Sequence, residues 1–181
     1  MASPFANQIQ NRNFLSPIGF KFTLAKEPKV PFFSNSTRIP DINLGTAIQS
    51  SYLKDIDVPG DKVAYGDFYL KFLVDENMEN YMKIHNWITG LGYPESTKQY
   101  ADLIRNADGT LDPKNAFSDG NLEILNSNYK PTANVKFKDL FPINLSSLDF
   151  EATDVDVQYF TAEVTFKYTI YDILGTDGNP L

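Results

Sequence analysis

The chain contains no cysteine and a single histidine, His85. Disulfide frameworks, thiolate nucleophiles and cysteine-bound zinc are thereby excluded, and a catalytic triad or multi-histidine metal site would have only His85 to draw on. Arginine is scarce too, with Arg12, Arg38 and Arg105 the three in 181 residues. Sixteen Lys and Arg stand against 23 Asp and Glu, a formal net charge of −7. That balance argues against a nucleic-acid clamp, because phosphate binding draws on a stripe of cations whose contacts release counterions. An acidic surface beside DNA instead repels the duplex and prevents sticking. No apolar run approaches the length of a membrane span, and residues 1–13 have neither a basic nor an apolar leader segment. Neither a membrane anchor nor a secretory signal is expected.

What is present is ample material for a core: 42% hydrophobic residues and 14% aromatics, in a length that suits one domain spanning 1–181. The most regular pattern is the strict alternation over 157–171. Phe160, Ala162, Val164, Phe166, Tyr168 and Ile170 fall on one face; Thr161, Glu163, Thr165, Lys167 and Thr169 fall on the other, with Tyr159 and Tyr171 at its ends. This predicts one long strand with a dry face and a wet face, the dry face contributing about 10 kcal/mol when buried. Neither Pro nor Gly blunts the run, so as a bare edge it would invite aggregation. Something is expected to pair with it or close it into a ring.

Elsewhere, Phe20, Phe22 and Leu24 mark a first strand, after which Pro28, Pro31 and Pro40 confine the chain to an edge or loop. Another strand is expected over 51–58. The turn signals Pro59-Gly60-Asp61 and Gly66-Asp67 then bracket a projecting loop, 59–66. A half-buried strand, 67–74, leads into a helix capped by Asp75 or Asn77, with an apolar arc through Tyr81, Ile84, Ile88 and Leu91, Trp87 at its border, and Gly90 and Gly92 to stop it. Residues 93–130 form a long polar excursion holding one short helix, announced by a capping box from Ser96 to Gln99. Strands resume at 134–139 and turn at Phe141-Pro142. Residues 1–15 have the character of an N-terminal arm and 174–181 that of a C-terminal tail.

None of the constellations that carry chemistry is convincing. His85 is expected to be a helix residue at the sheet border, and Glu151, Asp154 and Asp156 lack the spacing of a calcium loop and are expected to be solvated turn charges. The glycines do not assemble a phosphate-cradling loop, and aromatics on alternating strands are core before they are a sugar platform. No catalytic, cofactor-binding or metal-binding residue is nominated, and the chain is not expected to be an enzyme.

The order of features does match a known family. The strand 68–74 running into the Asp75-Glu76 helix with Trp87, the strand 135–140, Phe141-Pro142, Leu148, Phe150, and the closing Phe160-x-x-x-Val164-x-Phe166-x-Tyr168 pattern resemble the tail tube proteins of contractile-tailed bacteriophages, as does the turn at Pro59 to Asp61. The resemblance spans about 20–173. It implies a mainly β fold, a small sandwich or barrel with one flanking helix, whose copies form hexameric rings joined through a ring-spanning β-barrel. Stacked rings would make a conduit for DNA during ejection, passing DNA without binding it specifically. The implied partners are further copies and the tail sheath, tape-measure and baseplate proteins, in a virion component synthesised in the host cytoplasm. By the same resemblance Thr161, Glu163, Thr165, Lys167 and Thr169 are lumen-lining candidates, the alternative being a face covered by the helix. Pro59, Gly60, Asp61, Lys62 and the N-terminal arm are candidates for ring-to-ring contacts. The long excursion leaves open a tube initiator or terminator beside the main subunit, and the tube of a bacterial injection system is a neighbour. The rival readings are a β-sandwich carbohydrate-binding or adhesion module, and a hydrolase built on His85.

Replacing Thr165 by Pro removes a ladder hydrogen bond from mid-strand, so the variant is expected to lose both folding and assembly. Rings formed by Thr165→Pro on electron micrographs would show the strand to be wrongly placed.

Overall fold

Alternation at Phe22 and Leu24 produces the first strand, β1 (Phe20–Leu24), in the computed structural model, which describes residues 15, 17, 19–27, 33–150 and 159–180. Among the described residues there follow β2 (Phe33–Thr37), β3 (Ile42–Gln49), β4 (Ile56–Tyr65), β5 (Phe68–Leu73), α1 (Glu79–Gly92), α2 (Thr97–Leu103), a 3₁₀ turn (Pro113–Ala116), β6 (Ser118–Leu125), β7 (Pro131–Leu145), β8 (Thr161–Lys167) and β9 (Ile170–Gly175). The protein is mainly β, as expected, and all its named pairings are antiparallel. Seven strands form one folded sheet in the order β1-β6-β7-β8-β5-β2, with β9 also on β7, while β3 and β4 form a separate hairpin.

β7 is the spine of the sheet. Its first half pairs with β6 and β9, and its second half pairs with β8. At the changeover Asp139 holds a left-handed conformation, φ 54°, and its N–H donates to Asp119 Oδ1 at 3.3 Å. Such an irregularity bends a strand, and here it lets one strand serve two layers. The expected turn at Phe141-Pro142 is therefore corrected. Pro142 is buried within β7 opposite Phe166, and a register shift before Asn144 absorbs it. Proline is tolerated because from Phe141 to Leu145 β7 pairs with β8 alone among the described strands.

The expected single strand over 157–171 is also corrected. β8 ends at Lys167, β9 begins at Ile170, and the inward phase slips between them. Phe166 is buried, Ile170 is exposed and Tyr171 is buried. The slip occurs where the chain crosses from one layer to the other, with the Thr169 N–H bonded to the Lys138 carbonyl at 3.0 Å. Residues 157 and 158 lie outside the described part.

The polar stretch 93–130 carries α2, with both halves of its Ser96–Gln99 capping box formed, but also a strand that composition hid. β6 sits between β1 and β7. The pair Asp119-Gly120, a turn signal in isolation, lies inside that strand. A Cβ on Gly120 would stand 3.2 Å from both Leu140 Cδ1 and Phe22 Cε2, so glycine leaves the room those side chains fill. Strands therefore resume at Ser118, not at 134. The stretch 174–181 likewise begins as strand: Leu174 and Gly175 finish β9, and a turn brings Pro180 back to bridge Leu174.

Helix α1 follows β5 and plugs the gap between the layers. Ile84 and Trp87 are buried in the cluster that holds Phe22, Phe68, Phe137 and Phe166, and the Trp87 indole N–H donates to the Ala116 carbonyl at 2.8 Å. The N-cap is Met78, φ 56°, in place of Asp75 or Asn77. Asp75 acts one step removed, its Oδ1 accepting from the Asn80 N–H at 3.4 Å, while the buried Asn80 side chain donates to the Leu73 carbonyl at 2.8 Å. Gly90 and Gly92 both lie within the helix, which closes at Tyr93 in a left-handed conformation.

Phe137 shows how tightly the layers interlock, with ring centroids 4.4 Å from Phe68, 5.1 Å from Tyr168 and 5.8 Å from Tyr171. Phe137→Ala is expected to cost about 3–5 kcal/mol, read as a lowered urea midpoint.

Candidate assembly surfaces

The segment from Ile42 to Tyr65 is a long hairpin, with Ile42 opposite Tyr65 at its root and Gln49 opposite Ile56 near its tip. The expected strand over 51–58 and loop over 59–66 are corrected accordingly. Residues 50–55 make the tip, where Ser51 Oγ donates to the Lys54 carbonyl at 2.6 Å and accepts its N–H at 3.4 Å. Pro59, Gly60, Asp61 and Lys62 lie within β4. The register passes from Leu44 opposite Val63 to Thr46 opposite Pro59, so Gly60, Asp61 and Lys62 bulge against Gly45. A Cβ on Gly60 would approach the Gly45 carbonyl oxygen to 2.4 Å, which only glycine avoids. Pro-Gly-Asp thus serves a bulge, a need for backbone freedom that a turn shares.

Every residue of β3 is exposed. Ile42, Leu44, Ile48, Ile56 and Val63 all face solvent, and at the tip Tyr52 and Leu53 are 101% and 90% exposed. A two-stranded ribbon is at best marginally stable alone, and apolar exposure on this scale marks an interaction surface.

Two tyrosines from the β8–β9 corner hold the root of this hairpin. Tyr168 Oη donates to the Gly66 carbonyl at 2.8 Å and Tyr171 Oη to the Pro40 carbonyl at 3.1 Å, so each hydroxyl grips one leg. The Tyr65 ring packs against both, 6.1 Å from Tyr168 and 5.5 Å from Tyr171 by centroid, and those two lie 5.9 Å from each other. The Gly66 N–H bonds the Asp41 carbonyl across the base at 3.0 Å. Burial, reinforced by Tyr171, Asp41 and Asp67, pushes the Tyr168 phenol well above its usual range; burial with Tyr65 and Asp41 raises Tyr171. Sequence reasoning missed this clasp. Its one signal was the density of tyrosine at 65, 168 and 171, of which alternation placed Tyr168 on the dry face and Tyr171 at the end of the wet face.

The wet face of β8 points away from the core. Glu163 and Lys167 are exposed, Thr161 and Thr165 are half-buried, and Thr169, in the break after β8, is exposed as well. α1 packs on the opposite side, its Trp87 ring against the inward Phe166 at 6.3 Å. Across on β5, Tyr69 stands opposite Thr165 and Lys71 opposite Glu163. Lys71 Nζ lies 3.1 Å from Glu163 Oε1, Lys167 pairs with Asp67, and the Arg38 guanidinium sits 4.1 Å above the Tyr69 ring. β2 and the second half of β7 are the outermost strands of this layer among the described residues.

His85 lies exposed on α1. Among the described residues no group of three or more His, Cys, Asp or Glu is placed to hold a metal ion. Glu151, Asp154 and Asp156 lie outside the described residues, as does the expected N-terminal arm, 1–15, apart from Leu15.

A family model described as phage tail tube protein matches residues 2–174. No curated protein matches the sequence. Among solved structures, a chain from the sheath–tube complex of an extracellular contractile injection system (PVC) in the extended state aligns with TM-score 0.62 and 17% identity, over 91% of this chain and 94% of that one. A chain from the tube-terminating cap of the anti-feeding prophage (AFP) aligns with TM-score 0.60 and 17% identity, over 97% and 100%. A third, from the PVC sheath/tube terminator in the extended state, gives 0.57 and 18%, over 91% and 100%. At such identities the likeness is one of fold.

The tyrosine clasp generates a pH dependence. Because the native state raises the Tyr168 phenol above its ordinary value of 10.0, the unfolded chain loses that proton first as pH rises. The contribution is intact below pH 10.0 and is lost above it. Unfolding midpoints are expected to fall on titration into that alkaline range, and less steeply in Tyr168→Phe.

Proposed function

The chain belongs to the phage tail tube protein family, and we propose that its copies close into hexameric rings that stack into a tail tube, a conduit for DNA passage during ejection. The observation that carries this reading is the β3–β4 hairpin: a ribbon held firmly at its root by Tyr168 and Tyr171, yet apolar and exposed to its tip at Tyr52 and Leu53. A monomer gains nothing from aiming such a surface at water. A neighbouring copy gives it something to cover.

The layer formed by β7, β8, β5 and β2 supports the ring itself. Its outermost strands among the described residues, β2 and the second half of β7, are different in sequence, so pairing one copy's β2 with the next copy's β7 is a head-to-tail contact, the kind that forms a ring when its rotation closes. Closure removes the open edges and turns one face of β8 inward as part of a ring-spanning barrel. In this arrangement Thr161, Glu163, Thr165, Lys167 and Thr169 line the lumen. The hairpin, with its Pro59, Gly60, Asp61 and Lys62 bulge, reaches the adjacent ring, and the arm 1–15 is a further contact candidate. Sheath, tape-measure and baseplate proteins are the expected partners, a reading supported by the fold's presence in a sheath–tube complex, a terminator and a cap. The role is structural and non-enzymatic, in a virion component made in the host cytoplasm. No helix among the described residues is long and apolar enough to cross a membrane.

Negative-stain electron microscopy of the purified protein is expected to show sixfold rings or tubes with a central hole; a compact monomer at all concentrations would overturn the proposal. Replacing Tyr52 and Leu53 by Ser is expected to leave rings intact and shorten or abolish tubes, seen as slower sedimentation. Tubes of unchanged length would remove the hairpin tip from the ring-to-ring contact.

A further inference from the structure

We propose that the tube wall is kept non-adhesive to DNA by ion pairs set in register across its strands, which occupy both lysines of the outer β8 and β5 face; this rests on the assignment of the outer β8 face to the lumen. Among the described residues, the charged groups that β8, β5 and the ends of β5 and β2 bring to that face are Glu163 and Lys167, Lys71, Asp67 and Arg38. Three are cations and two are carboxylates. The formal charge of −7 is therefore carried elsewhere on the chain.

Each carboxylate of the face is placed on a lysine. Glu163 and Lys71 are direct cross-strand partners, with Nζ and Oε1 3.1 Å apart. Asp67 immediately precedes Phe68, whose partner is Phe166, so the antiparallel register carries Asp67 to Lys167, and those two form an ion pair. The remaining cation, Arg38, lies over the Tyr69 ring, and threonines at 161, 165 and 169 occupy the intervening positions. Exposed pairs of this kind add little to folding. Their effect lies in where charge is free. A lysine already held by a carboxylate must break that pair to meet a phosphate, and the counterion it displaces from the DNA is offset by the cation the freed carboxylate then takes up, so the contact wins little. Rotational symmetry multiplies the consequence, since each liberated lysine per subunit adds a belt of cations to the one that Arg38 contributes in every ring.

The test compares tubes of the wild type, of Glu163→Gln with Asp67→Asn, and of that variant with Lys71→Gln and Lys167→Gln added. Each is incubated with a short fluorescent DNA duplex over a salt series, and the nuclease-protected DNA that sediments with the tubes is measured. Wild-type tubes, in which Arg38 over the Tyr69 ring is the one cation named on the face without a carboxylate partner, are expected to protect little DNA at physiological salt. The carboxylate variant should protect on the order of ten-fold more, its affinity falling with salt by a slope of about 0.9 for each lysine that reaches a phosphate. Adding the lysine substitutions should return it to the wild-type level. Wild-type tubes that retain DNA as well as the carboxylate variant, or a carboxylate variant that retains no more than wild type, would overturn the inference. Electron cryomicroscopy of the same tubes separates the two failures: β8 found outside the lumen sinks the parent assignment, whereas β8 lining the lumen with retention unchanged sinks the ion-pair inference alone.

Discussion

One bent strand organises this protein. β7 pairs with β6 and β9 up to Asp139, keeps one β6 partner at Leu140, and pairs with β8 from Phe141 on, and the left-handed backbone at Asp139 is what lets a single segment belong to both layers. A core forms because the two layers then face one another at a set angle. Phe22 from one layer meets Phe68 and Phe166 from the other, at centroid distances of 5.2 Å and 6.1 Å, and Phe137 fills the space beside Phe68. α1 closes the open side with Ile84 and Trp87. Each buried aromatic also carries the preference for tilted ring contacts that gives such a cluster definite geometry.

The same bend positions the surfaces. Crossing between layers forces the break between β8 and β9, and the break puts Tyr168 and Tyr171 at a corner where their hydroxyls reach the two legs of the hairpin. The hairpin is thus attached to the part of the chain that also carries the wet face of β8. Core, hairpin root and outer face are consequences of one irregularity in one strand.

Much of the local structure was legible in the residues themselves. β1 and β5 follow their alternation, the Ser96–Gln99 capping box opens α2, and the arc through Ile84 buries as expected. Of the candidate surfaces, the wet face of β8 was legible down to individual positions, because period two is local and depends on no distant partner. The misreadings share one cause. Asp119-Gly120, Pro59-Gly60 and Phe141-Pro142 are turn signals by composition, yet each lies within a strand. Glycine is used at 60 and 120 because another group comes close, and that group comes from residue 45 in one case and from residues 22 and 140 in the other. Local composition reports the need for a missing side chain but not which neighbour creates it.

By itself the sequence determined what chemistry was impossible, from the absence of cysteine and the single histidine, and which side chains of each regular segment share a face. Only the tertiary structure decided where those faces lie. The phase slip that turns Ile170 outward and Tyr171 inward, the grip of two hydroxyls on carbonyls at Pro40 and Gly66, and the pairing of Asp67 with Lys167 all join residues remote in the chain. Such contacts exist because strands far apart in sequence are held side by side, and periodicity carries no information about which strand will be the neighbour.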